Sequence, residues 1–184
     1  MINREEAFIL IRKYLKDADN IKYSIAIEAV LREIAKRLDR DEELWGLTGL
    51  LHNIDYEYTA AELENRGILS AQLLEGLLPE SGVNAIKANN YTHTEQIPTT
   101  ALDKSLIAVD ALTGLILATA NSLKMKDIKD ITLNELILKF NDEEFATRFN
   151  RSRIKLCVDI GIDITTFFKI CLNTIKILKE DMVI

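Results

Sequence analysis

Histidine, cysteine and proline are all scarce in this chain of 184 residues, which has two of each. Two histidines make a three-histidine zinc site impossible within one chain, and a Cys/His zinc ribbon is equally out of reach. Any metal site must lean on carboxylates. The cysteines, Cys157 and Cys171, lie in apolar stretches and read as small buried hydrophobes in a reducing cytosol, not as a disulfide. Proline is absent until Pro79, and there are only seven glycines. Strand-dense folds and disordered tails need more breakers than that. No run reaches about 18 uninterrupted apolar residues, so no membrane span is expected. The opening segment MINREEAF carries two acids and no apolar run, unlike a secretory signal, so a cytoplasmic protein is expected. Positive charge is in deficit as well. A net charge of −6 argues against nucleic acid as the main partner, because a duplex binder needs a dense Lys/Arg face.

What is present fits a helical domain. The apolar fraction of 48% suffices for a sizeable core, and the length suits one domain. Asn3 with Glu6, and Thr132 with Glu135, have the spacing of capping boxes. Apolar periodicity predicts helices to about Leu15, then over about 20–38, 41–53, 67–78, 81–91 and 99–122. Pro79 reads as the stop of the fourth and Ser81 as the cap of the fifth. The segment Leu106–Ala120 is apolar on nearly every face, the pattern of a central helix wrapped by others. A second helical group is expected from about 124 to 180, with short helices near 142–149 and 151–159. Gly161 suits a position just past a helix end, and Asp163 can cap the last helix. The expectation is one all-α bundle of nine or ten helices.

Two residues stand out chemically. Asp110 is the only charge within Leu106–Ala120. A buried carboxylate needs a metal, a cation or several donors, so Asp110 either faces a ligand or is satisfied by Ser, Thr or backbone groups. His52 closes an apolar helix ahead of Asn53, Asp55 and Tyr56. It is either a structural residue at a helix C-terminus or part of a site.

Several segments carry a family resemblance. Leu50-Leu51-His52-Asn53-Ile54-Asp55-Tyr56 resembles the LLHDIDY motif of HD-domain metal-dependent phosphohydrolases. Residues 20–30, with Ile21-Lys22-Tyr23-Ser24, resemble that family's IKHSLAVEAV helix. Glu42–Leu47 resembles the lead-in to the His-Asp pair, and Arg66-Gly67 falls where the family often has His-Gly. Ala85–Asn90 resembles AIKAHN, and Ala108–Ile116 resembles AADELTGLI. These core motifs span about 20–116 in order, and the resemblance as a whole covers about 3–180. It implies an HD-like fold. It also implies a site holding one or two divalent metals at the positions now occupied by Tyr23, His52, Asn53, Arg66, Asn89 and Asp110.

Only His52 and Asp110 keep the family's identity there. Tyr23 is a neutral phenol, Asn53 and Asn89 offer no charge, and Arg66 would repel a metal. One imidazole and one carboxylate fall short of a catalytic ligand set, so the expectation is no cofactor or a weakly bound divalent metal. His93, four residues after Asn89, would share its helix face if the helix continues, and could take a shifted ligand position. Otherwise it is an exposed loop residue. Tyr23, Asn53, Arg66, Asn89 and Asp110 would line a polar pocket, in which Arg66 pairs with Asp110 or binds a phosphate or carboxylate. Three functions are compatible with this. One is a catalytically degenerate HD protein that keeps a pocket for a phosphate-bearing or other anionic small molecule. Another is a phosphohydrolase with an altered metal site. The third is a helical interaction module, for instance a homodimer.

Overall fold

Asn3 starts the first helix by the expected exchange: its side chain accepts from the Glu6 N–H at 3.0 Å, and the Glu6 carboxylate accepts from the Asn3 N–H at 2.8 Å. The computed structural model describes residues 1–122 and 127–180. Ten α-helices form among them: α1 Arg4–Tyr14, α2 Ala18–Arg37, α3 Glu42–Leu51, α4 Ile68–Leu74, α5 Glu80–Asn89, α6 Tyr91–Thr94, α7 Ala101–Ser122, α8 Leu133–Asn141, α9 Arg151–Asp159 and α10 Ile164–Glu180. No strand forms among the described residues. The architecture is the expected all-α bundle around one contiguous core. The expected start of the C-terminal group at about 124 lies outside the described residues.

Helix α7 is the central element. Leu106, Ile107, Val109, Leu112, Leu115 and Ile116 are all fully buried, and α2, α5, α8, α9 and α10 pack around it. The most extensive pairing is α2 on α3, made possible by glycine. A Cβ on Gly49 would stand 2.8 Å from a Leu31 methyl and 3.1 Å from the Ile27 carbonyl oxygen, so the two backbones approach more closely than any side chain allows. Glu28 is buried on α2, yet Arg4 from α1 holds it at 2.7 and 2.9 Å. Arg32 adds a contact at 3.0 Å and reaches on to Glu43 of α3 at 2.7 Å. A buried carboxylate is tolerated when paired in this way.

Four local expectations are corrected. Helix α4 ends before Pro79, at a turn through Gly76 with φ of 77°. Pro79, not Ser81, takes the position before α5, and its carbonyl accepts from Gly82 at 2.9 Å. The α5 path breaks at Asn90, and α6 is a separate single turn. Residues 142–149 form successive turns, not a helix. There Asp142 accepts from the Glu144 and Phe145 amides, and Ala146 takes a left-handed φ of 48°. Side chain–backbone bonds of this kind compete directly with helix. By contrast, Gly161 adopts the expected left-handed conformation, with φ of 82°. Asp163 accepts from the Thr166 amide at 3.0 Å, capping α10. No described helix is long and apolar enough to cross a membrane.

Candidate functional site

Four helices and three connections converge on a cavity of about 540 Å³. Tyr23 comes from α2, His52 and Asn53 from the turn just after α3, and Arg66 from the approach to α4. Asn89 is the last residue of α5, Asp110 sits midway along α7, and Arg153 belongs to α9. The structure thus brings Tyr23, His52, Asn53, Arg66, Asn89 and Asp110 to one cavity. His93 is not in its lining. Because α5 breaks at Asn90, His93 stands on α6, exposed, with Nδ1 3.1 Å from both Asn90 Oδ1 and Thr92 Oγ1. The shared helix face it required does not exist.

Asp110 is the hub. Its side chain is 23% exposed. The Tyr23 hydroxyl lies 2.8 Å from both Asp110 Oδ1 and the Asp110 carbonyl oxygen, so its one proton is shared between them. Asn89 donates to Oδ2 at 3.2 Å, and Arg153 Nη2 lies 3.6 Å from the same oxygen. Arg153 is fixed there by donating to the Asn89 carbonyl at 2.8 Å and to Asn89 Oδ1 at 2.9 Å. Burial on its own raises the Asp110 carboxyl, but the His52 contact, the Arg153 charge and the Tyr23 hydrogen bond outweigh it and hold the group well below the usual carboxylate range. Tyr23 moves the other way. Burial and the Asp110 charge push its phenol well above its ordinary value, so it stays a proton donor.

His52 has a defined proton arrangement. Its Nδ1 lies 2.7 Å from the Gly49 carbonyl oxygen. A carbonyl only accepts, so Nδ1 carries a proton. Nε2 is buried without a hydrogen-bond partner, 3.6 Å from Asp110 Oδ1. In the imidazolium form this contact is an ion pair. In the neutral form it sets a lone pair against a carboxylate.

The pairing of Arg66 with Asp110 is corrected: Arg153 takes that place. Arg66 donates instead from Nε to Thr59 Oγ1 at 3.3 Å, and its guanidinium lies 4.4 Å over the Tyr56 ring. Arg148 also lines the cavity, 4.7 Å over the Phe149 ring. Phe149 lies flush on α7 at Gly114, where any Cβ would collide with its ring. The segment that delivers Arg148 and Phe149 is held by Arg151, whose guanidinium donates to the carbonyls of Lys139, Phe140, Asp142, Phe145, Ala146 and Phe149. Arg148, Arg151 and Arg153 were not singled out in the sequence, because their roles depend on tertiary placement. Asp55 of the His52 motif and Glu57 just after that motif are structural. Asp55 is fully buried and accepts from the Gly67 and Ser70 amides at 2.7 and 3.0 Å. Glu57 accepts from the Lys16 and Asp17 amides and from Asn20 Nδ2, all at 3.0 Å.

The donor set can be tested against a metal. His52 and Asp110 supply one imidazole nitrogen and one carboxylate, and both carboxylate oxygens already accept from Tyr23 and Asn89. Arg153 brings a fixed positive charge to within 3.6 Å. Among the described residues, no group of three or more His, Cys, Asp or Glu side chains could hold a metal ion. A catalytic divalent metal takes about three protein ligands, so this donor set does not fit one. Comparison with protein-family models, with curated proteins and with solved structures gives no match for the chain.

Proposed function

We propose that this chain is an HD-domain-like protein whose metal-dependent hydrolase chemistry is degenerate, and whose pocket binds a phosphate-bearing or other anionic small molecule. The observation that carries this reading is the occupation of Asp110 by protein donors. In a metal-dependent phosphohydrolase the carboxylate would face the metal. Here Tyr23, Asn89 and Arg153 face it. Without a metal, the usual means of making hydroxide near neutral pH is lost. The in-order motif resemblance over about 20–116 supports the HD assignment, and the arginines lining the cavity support an anionic ligand. The two free, buried cysteines suit work in the cytosol.

The test is metal analysis of protein purified without chelator, together with a screen of phosphate esters read by turnover and by melting temperature. The expected result is no stoichiometric metal, no metal-stimulated hydrolysis, and stabilisation by at least one ester. At about 100 times its Kd, a ligand adds about 2.7 kcal/mol, or about 5–10 °C for a chain of this size. Stoichiometric Mn, Fe, Ni or Zn that is lost in His52→Ala overturns the reading.

A further inference from the structure

The segment before α9 is attached unevenly. Phe145 and Ala146 pack against the hydrophobic core, whereas Phe149 is half-buried and stands outside that core among the described residues. The Phe149 backbone is nonetheless fixed on both sides. Its N–H donates to the Ala146 carbonyl at 3.0 Å, and its own carbonyl accepts from Arg151 Nη1 at 2.9 Å. The next side chain, Asn150, accepts from the Ser152 amide at 2.8 Å and starts α9. Rotation of the Phe149 side chain is the freedom that remains. Its ring rests on Gly114, where a Cβ would stand 2.7 Å from Cδ1 and Cζ and closer still to Cε1. Glycine offers the ring a seat but no side chain to hold it. Arg148, itself exposed, lies over the ring at 4.7 Å. Gly114, Leu117 and Phe149 all line the cavity, and Leu117 follows Gly114 by one turn on the same face of α7.

We infer that the Phe149 ring is a movable wall of the cavity: seated on Gly114 it closes the cavity at α7, and turned out it uncovers an apolar subsite over Gly114 and Leu117. The inference rests on the reading of the cavity as a ligand site, and it names the residue that sets which ligands fit. With the ring seated, the cavity holds about 540 Å³. With the ring turned out, a space of the ring's own size joins it, floored by bare helix backbone and flanked by Leu117. That space takes an apolar group no larger than the ring that leaves it. Side-chain torsions occupy discrete wells, so the seated and turned-out rings are two states and not a continuum. A ligand that needs the subsite binds the turned-out state alone. Its apparent affinity falls in proportion to the population of that state.

The experiment is NMR relaxation dispersion on the full chain, read at the Gly114 amide. A ring that flips about its own axis leaves the ring current at Gly114 unchanged, whereas a ring that turns out removes it. The Gly114 amide should therefore show microsecond-to-millisecond exchange, and the Leu106 and Leu112 amides, fully buried on the same helix, should not. In Phe149→Ala that exchange should vanish. Phenol, a neutral ring, should then bind at Gly114 at least about tenfold more tightly than in the wild type. In Gly114→Ala a methyl takes the seat, so the Phe149 ring signals should move while those of the core residues Phe167 and Phe168 stay in place. If Gly114→Ala fails to fold, the wild type and Phe149→Ala decide. Absence of exchange at Gly114 in the wild type overturns the inference. So does exchange that persists in Phe149→Ala, phenol binding no tighter there, or Phe149 signals unmoved in Gly114→Ala. Each of these results leaves the anion-site reading standing, because no probe in the experiment is an anion. That reading fails separately, when no phosphate ester stabilises the protein.

Discussion

Asp110→Asn separates the two kinds of chemistry that this site could support. In a metal enzyme the change would remove a ligand and with it the activity. Here it removes the charge that neutralises Arg153, so affinity for inorganic phosphate should rise several-fold, as read by titration of the full chain. A fall would show that Asp110 itself takes part in binding. Asp110→Ala differs, because it leaves the Tyr23 hydroxyl, the Asn89 amide and Arg153 without their acceptor. Stranding such donors should cost about 2 kcal/mol, less than in a dry core because the site is open to water. Urea denaturation measures it, and an unshifted midpoint would mean that the network adds nothing to stability. Asp110 and His52 stood out from their own local setting, whereas Tyr23, Asn53, Arg66 and Asn89 joined them only through the motifs that resemble the HD-domain family. Arg153 was not legible, because it reaches Asp110 only through the packing of α9 on α7. No spacing along the chain announces that contact.

Among the elements, the α2–α3 pair is the tightest. Gly49→Ala would force a methyl against Leu31 and the Ile27 carbonyl. Backbone cannot yield as a side-chain tip can, so the expected loss is about 1–3 kcal/mol, seen as a lower melting temperature with the helical signal retained. The 142–150 segment makes the opposite point. Its composition resembles a short helix, yet Arg151 satisfies the carbonyls that a helix would have used. In Arg151→Ala those carbonyls lose their donor. The Phe145 and Phe149 amides should then exchange with deuterium faster while the α7 amides stay protected. Equal protection in the two proteins would mean that the local turns hold without Arg151. The contrast explains what could be read from sequence. Capping boxes at Asn3 and Thr132 act over three residues and are visible locally. A segment organised by one downstream guanidinium is not.

For the whole molecule, proton linkage sets the pH range of stability. Glu57 is held below its ordinary value, first by the Asp17 amide and then by Asn20 and Lys16. Asp110 is likewise depressed. For such carboxyls the folded state binds protons less readily than the unfolded chain. The stability they contribute is complete above the unfolded range near pH 4–5 and is lost as pH falls through the folded values. Cys157 is shifted the other way: burial, with the Asp163 charge behind it, pushes its thiol up to about 11. Its folded value lies above the unfolded one near 8.5, so the corresponding stability is complete below about pH 8 and is lost as pH rises toward 11. Urea midpoints measured against pH should therefore form a plateau between about pH 5 and 8 with a falling limb on each side. Glu57→Gln tests the acid limb. It removes a carboxylate that accepts from three donors at the start of α2, so the plateau should drop and the slope below pH 5 should flatten, because one proton fewer is taken up on unfolding. The alkaline limb, which depends on the thiols, should keep its slope. An acid limb identical to wild type would show that Glu57 binds its proton equally well in the folded and unfolded chain, and that the clamp on the 15–17 turn contributes no charge-dependent stability.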